Sequence, residues 1–130
     1  MRQIKTIIPF PVYNYRIYVI FTDDLKECAA DLKAQGLLAK DTDLESTRAF
    51  TIKFSNQSFT YLVYPIDASI DHIVHEVYHA ISNMFNWISS KPDEEIFAYT
   101  LGYVTRQVTD DQAKAIKKFK KELDKVDPVL

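Results

Sequence analysis

The sequence predicts an α+β fold, a small, twisted, mainly antiparallel sheet packed against helices. Short β-branched and aromatic runs fill the first half of the chain, helical apolar periodicity fills the second, and only two glycines occur in 130 residues. The coarse order, strand, helix, hairpin, helix, helix, helix, is an α+β pattern. With 47% apolar residues, a chain of 130 residues is the size of one domain with a real core, so residues 1–130 are expected to form a single domain.

Each element follows from its residues. Residues 16–21 read RIYVIF, apolar on both alternating faces as a central strand requires. Residues 4–8 suggest another strand, ended by Pro9 and Pro11. Thr22 offers a helix N-cap, Asp23 and Asp24 put negative charge in the first turn, and Leu25, Cys28, Ala29 and Leu32 form an apolar stripe that stops near Gly36. Cys28 lies in that stripe and reads as a buried, inert thiol; a single cysteine forms no internal disulfide.

Phe50, Ile52 and Phe54 alternate with Thr51, Lys53 and Ser55, and the polar turn Ser55-Asn56-Gln57-Ser58 leads to a strand over residues 59–64, making a hairpin. From Ser69 a helix carries Ile70, Ile73, Val74, Val77, Ala80, Ile81, Met84, Phe85 and Ile88 on one broad apolar face until Ser89, Ser90, Lys91 and Pro92 break it. Ser90 and Asp93, with Pro92 in the first turn, start a helix to about Gln107. Thr109 and Gln112 have capping-box spacing ahead of a last helix that buries Ala113, Ile116, Phe119, Leu123 and Val126.

A formal net charge of −2 gives no global field for nucleic acid or an anionic membrane. The C-terminal lysines sit among Asp110, Asp111, Glu122, Asp124 and Asp127, as on a solvated amphipathic face that includes Lys125. Prolines interrupt the N-terminus before any signal-peptide core, and no segment approaches the roughly 20 apolar residues of a membrane span. The expectation is a soluble, cytoplasmic protein with neither nucleic acid nor membrane as partner.

The chemistry lies in Ile73-Val74-His75-Glu76-Val77-Tyr78-His79-Ala80, which contains HExxH. Histidines at i and i+4 lie one turn apart on one helical face, so both imidazoles reach one metal ion, while Glu76 beside them is placed to act as a base. The opposite face of this helix is continuously apolar, which suits a helix seated in a core with its polar stripe in a cleft. The metzincin continuation is excluded, since Ser82 and Phe85 stand where its glycine and third histidine belong. A third protein ligand is then a carboxylate or His72; three histidines so close on one helix strain a tetrahedral site, which suits His72 to the rim.

Downstream, Asp93-Glu94-Glu95-Ile96-Phe97-Ala98-Tyr99 resembles the glutamate zincins, or gluzincins, whose third ligand is a glutamate on the helix after HExxH. More closely it is similar to small zincin-like proteins of phages and prophages, in which HExxH is followed by a glutamate and then Ala-Tyr three and four residues later. The matching residues are Glu95, Ala98 and Tyr99. The resemblance implies a minimal zincin-like fold with an HExxH helix, a third-ligand helix and a C-terminal helix. It also implies Zn2+ as cofactor, Glu95 as third ligand and Ala98 as the small residue that lets two helices approach. Glu94 competes, because adjacent helical residues project about 100° apart and only one faces the metal. With Glu95 inward, Ala98, Tyr99 and Gly102 continue its stripe; with Glu94 inward, Phe97 and Ala98 follow.

Two histidines and a glutamate leave a fourth zinc position open, the mark of a catalytic site. The motif implies amide hydrolysis of a peptide or protein substrate, with Glu76 taking a proton from the attacking water. A second electrophile for the oxyanion is open among Tyr99, Tyr103, Arg106 and Tyr78, with Tyr99 the nominal catalytic residue and Arg106 the nominal substrate contact. Zincins bind extended peptides along an edge strand, and by that resemblance residues 59–64 form the edge, with Tyr61 and Tyr64 lining the cleft. The rival expectation is a catalytically silent zincin-fold module that binds proteins in phage assembly or regulation.

Overall fold

The computed structural model describes residues 1–54 and 56–126, with side chains as far as Leu123. Ser55 of the expected turn, Asp127, and the side chains of Asp124, Lys125 and Val126 lie outside the described residues. The fold is α+β, a four-stranded mixed sheet with three helices. Strand β1 (Gln3–Phe10) leads through a 3-10 turn (Pro11–Tyr13) to β2 (Tyr15–Thr22). Helix α1 (Leu25–Ala34), strand β3 (Phe50–Lys53), strand β4 (Phe59–Pro65), helix α2 (Ile70–Trp87) and helix α3 (Glu94–Val126) follow.

The sheet order is β1-β2-β4-β3. β1 pairs antiparallel with β2, β3 antiparallel with β4, and β2 parallel with β4 in a register that sets Tyr18 beside Tyr61. Pro9 does not end β1, as expected from sequence, but pairs with Arg16 inside it. An edge strand tolerates proline because one side of its ladder is free.

Side-chain alternation divides the interior between the two faces of the sheet. On one, Ile17, Val19, Phe21, Leu62 and Tyr64 pack with Ile73, Val77, Ala80, Ile81 and Met84 of α2 and with Val104 and Val108 of α3. On the other, Ile20, Ile52, Tyr61 and Val63 pack with Cys28, Ala29 and Leu32 of α1. Burying one such aliphatic side chain contributes about 1.5–3 kcal/mol. The larger cluster therefore fixes α2 firmly against the sheet.

The helix ends are set locally. Ser69 caps α2 as expected and accepts from the His72 backbone N–H. Asp24, rather than Thr22, caps α1, accepting from the Glu27 N–H at 3.0 Å, because it stands directly before the first helical residue. Gly36 follows that helix at φ 78°, a left-handed conformation that suits a residue without a Cβ. Asp93, not Ser90, caps α3 through a 2.8 Å bond from the Ile96 N–H.

The two expected C-terminal helices are one continuous helix of 33 residues. No glycine or proline falls at the expected junction, and Val104, Val108, Ala115 and Phe119 hold one buried stripe through it. Within the helix the capping-box letters take other partners. Thr109 Oγ1 donates to the Arg106 carbonyl at 3.0 Å. Gln112 Nε2 donates to the Ile66 and Ala68 carbonyls at 3.1 and 2.8 Å, tying α3 to the chain entering α2. The stripe is rotated from the expected one, leaving Ala113, Ile116 and Leu123 exposed. Among the described residues, no helix is long and apolar enough to cross a membrane.

Cys28 is buried, and burial, followed by the nearby Asp31 and Asp24 carboxylates, pushes its thiol up to about 11. A thiol in the unfolded chain ionises near 8.5. The unfolded state therefore sheds its proton first, and folding stability falls as pH rises from about 9 to about 11. At pH 8, iodoacetamide is expected to alkylate native Cys28 at least about tenfold more slowly than the urea-unfolded chain, read by mass spectrometry; equal rates contradict an inert, buried thiol.

Candidate metal centre

The apolar face of α2 is pressed into the larger cluster, so its polar stripe stands at the surface. His75 is exposed, His79 half-buried and Glu76 buried at 7% exposure. The His75 and His79 Nε2 atoms face each other at 3.2 Å, with ring planes at 75°. Two zinc–nitrogen bonds of about 2.0–2.1 Å at a tetrahedral angle place their nitrogens roughly 3.3 Å apart. The observed separation therefore fits one ion held by both rings.

Glu76 Oε2 lies 3.9 Å from His75 Nε2. A buried carboxylate is costly without donors. Thr51 Oγ1 on β3 answers this, 3.1 Å from Glu76 Oε1 and 3.3 Å from the Glu76 carbonyl. Beneath, the Tyr64 phenol is raised above its ordinary range by burial and by the Glu76 charge, and it donates to the Ile73 carbonyl at 2.9 Å. Among the described residues, the group with metal-holding geometry is His75, Glu76 and His79, whose ligand atoms lie within 4.8 Å of one another.

A cleft of about 510 Å³ opens beside His75 and Glu76 of this group, bounded by His72, His75 and Glu76 on one side and by Thr47 and Arg48 on the other; His79 does not line it. A second cleft of about 380 Å³ adjoins it, sharing Arg48 and His72. The segment ahead of β3 is thus a wall of the site, and neither it nor Thr51 is singled out by the sequence. The only hint was the polar alternation of β3, which does not say what that face meets.

Several residues expected at the site stand elsewhere. Strand β4 lies between β2 and β3, so β3 is the edge strand beside α2, not residues 59–64. Tyr61 and Tyr64 fall on opposite faces of β4 because strand side chains alternate with period two. Tyr64 is wholly buried against α2, and Tyr61 packs on the α1 side, where its hydroxyl accepts from Lys5 Nζ at 3.1 Å. Neither lines the cleft.

On α3 the face turned to α2 is Phe97, Leu101, Val104 and Val108, and Phe97 packs against Tyr78 and Phe85 at 5.3 and 6.1 Å. Glu94, Glu95, Ala98 and Gly102 are exposed, Tyr99 is 76% exposed, and a Cβ at Gly102 would meet nothing within 4 Å. Ala98 and Gly102 are therefore not the contact by which the two helices approach. Arg106 is exposed and Tyr103 rests against Phe10 at 6.3 Å. Glu95 is outside the His75, Glu76 and His79 group, as are Glu94 and His72.

Comparison of the chain with protein-family models, with curated proteins and with solved structures gives no match.

Replacing Thr51 by valine keeps the shape but leaves the buried Glu76 carboxylate without its hydroxyl donor. A hydrogen bond to a charged group contributes about 1.5–3 kcal/mol. Urea unfolding of Thr51→Val at pH 7 should show a loss of that order, and an unchanged midpoint means that Thr51 does not hold Glu76.

Proposed function

We propose that this chain is a zincin-type zinc metallopeptidase that hydrolyses peptide bonds. The observation that supports this most is the 3.2 Å approach of His75 Nε2 and His79 Nε2 beside a buried Glu76. His75 and His79 would hold the ion through these nitrogens. A carboxylate in the first turn of α3 is the proposed third protein ligand, either Glu95, as the resemblance implies, or Glu94, which shares the Phe97 and Leu101 face turned to α2. When bound, zinc supplies Lewis-acid polarisation of a carbonyl and acidifies water.

The chain's own residues supply the rest. Thr51 holds one Glu76 oxygen, which leaves Oε2 turned toward His75. Glu76 takes a proton from the attacking water as its oxygen bonds to the carbonyl carbon. The same carboxylate delivers that proton to the leaving nitrogen as the C–N bond breaks. The free edge of β3 beside the cleft offers backbone N–H and C=O groups to an extended peptide. The alternative, a zincin-fold protein-binding module, draws on the exposure of Glu95, Tyr99 and Arg106, which leaves α3 presenting a surface instead of closing the cleft.

Zinc should bind one-to-one after dialysis, and His75→Ala or His79→Ala should abolish stoichiometric zinc measured by elemental analysis, with Glu95→Ala or Glu94→Ala weakening it. Metal-free wild-type protein, with stability unaltered by His79→Ala, sinks the reading. Glu76→Gln should keep its zinc but lose peptide hydrolysis by a factor of at least about 10². Unaltered behaviour of Glu76→Gln in every assay favours the binding module.

A further inference from the structure

We propose that His72 stabilises the oxyanion formed when a peptide carbonyl is attacked at this centre, and that Ser69 is the positioning residue that sets its tautomer. The assignment rests on the metallopeptidase reading. Attack by water converts a neutral carbonyl oxygen into an anion, and a donor fixed in advance beside that oxygen lowers the barrier more than one that must be ordered during the reaction. Such a donor has to share the cleft with Glu76 and His75.

Tyr99 and Arg106 do not line that cleft, whereas His72 does. It stands three residues before His75 on α2, so the two share a helical face one turn apart. His72 also lines the adjoining cleft, which places its ring where the two spaces meet.

The ring is oriented by its own helix cap. Ser69 Oγ accepts the His72 backbone N–H at 3.4 Å and lies 2.9 Å from His72 Nδ1, and in the proposed arrangement its hydroxyl hydrogen is donated to that nitrogen. With Nδ1 accepting, a neutral imidazole carries its hydrogen on Nε2. His72 is then a ready hydrogen-bond donor on the edge of the ring away from Ser69, with no change of charge needed. Arg48 shares both clefts, but it is exposed and among the described residues forms no ion pair. Ordering such a side chain costs about 2 kcal/mol of rotamer entropy. His72 is also outside the group of ligand atoms, which separates it from the metal itself.

Two measurements test the assignment. Long-range 1H–15N correlation at pH 8 should show His72 as the Nε2–H tautomer in both zinc-free and zinc-loaded wild-type protein, and Ser69→Ala should shift it toward Nδ1–H. The second uses a library of phosphinic pseudo-tripeptides, whose tetrahedral anionic phosphorus mimics the attacked carbonyl. His72→Ala should keep wild-type zinc content, bind the best library member about 10²-fold more weakly, and lower kcat by about 10²–10³ with little change in KM. An Nδ1–H wild-type tautomer, zinc lost on His72→Ala, or unchanged inhibitor affinity each overturns the assignment. Zinc-loaded wild-type protein that binds no library member and cleaves no peptide instead overturns the metallopeptidase reading, and the assignment falls with it.

Discussion

Glu76 carries a carboxylate into the seam between α2 and the edge strand β3, and much of the local architecture answers that burial. Removing such a group from water costs several kcal/mol unless donors replace the lost hydration. Thr51 supplies one at 3.1 Å, and only the polar face of β3 brings it there. The β3–β4 hairpin must therefore lie beside α2, and α2 must present Glu76 toward the sheet while turning His75 outward. That rotation is the one that buries Ile73, Val77, Ala80, Ile81 and Met84. Polar and apolar requirements agree on a single orientation of the helix.

Helix α2 is legible from the sequence because independent signals coincide: a serine cap, an apolar spacing of three and four, and a break at Ser89, which adopts φ 54°. Strand neighbours are harder, because alternation tells which side chains share a face but not which strand lies alongside. The β3–β4 hairpin is local and readable. The parallel β2–β4 pairing is not, since the chain passes through α1 and β3 before β4 returns beside β2. A signal for it exists in residues 60–64, TYLVY, which are buried throughout and lack the in–out alternation of an edge strand. The same composition marks residues 16–21 as central.

The rotation of α3 shows how two sequence patterns compete. Ala98 and Gly102 form a small-residue stripe suited to close helix approach, while Phe97, Leu101, Val104 and Val108 form a bulky one. The bulky stripe is the one turned inward, because it buries far more apolar area against Tyr78, Phe85 and the sheet. Close approach helps only when backbones have something to gain by touching, and here large side chains fill the space between the helices. A capping-box pattern is likewise a local preference, and Thr109 with Gln112 shows it yielding to a helix whose buried face is continuous.

These features concentrate the proposed chemistry on rigid elements. His72, His75, Glu76 and His79 are spaced over two turns of one 18-residue helix, and the side chain that steadies Glu76 comes from a strand hydrogen-bonded into the sheet. Positions on one helix are fixed relative to each other by backbone hydrogen bonds, so their spacing does not depend on loop docking. Glu94 and Glu95 are different: they stand in the first turn of α3, outside the group that α2 forms by itself. A ligand of that kind makes metal affinity sensitive to how α3 is seated as well as to α2, while Glu76 is steadied by β3 and His72 by the Ser69 cap. In the proposed site, the third ligand therefore adds α3 to the elements on which metal retention depends, and the Tyr78–Phe97 contact between α2 and α3 bears on that dependence.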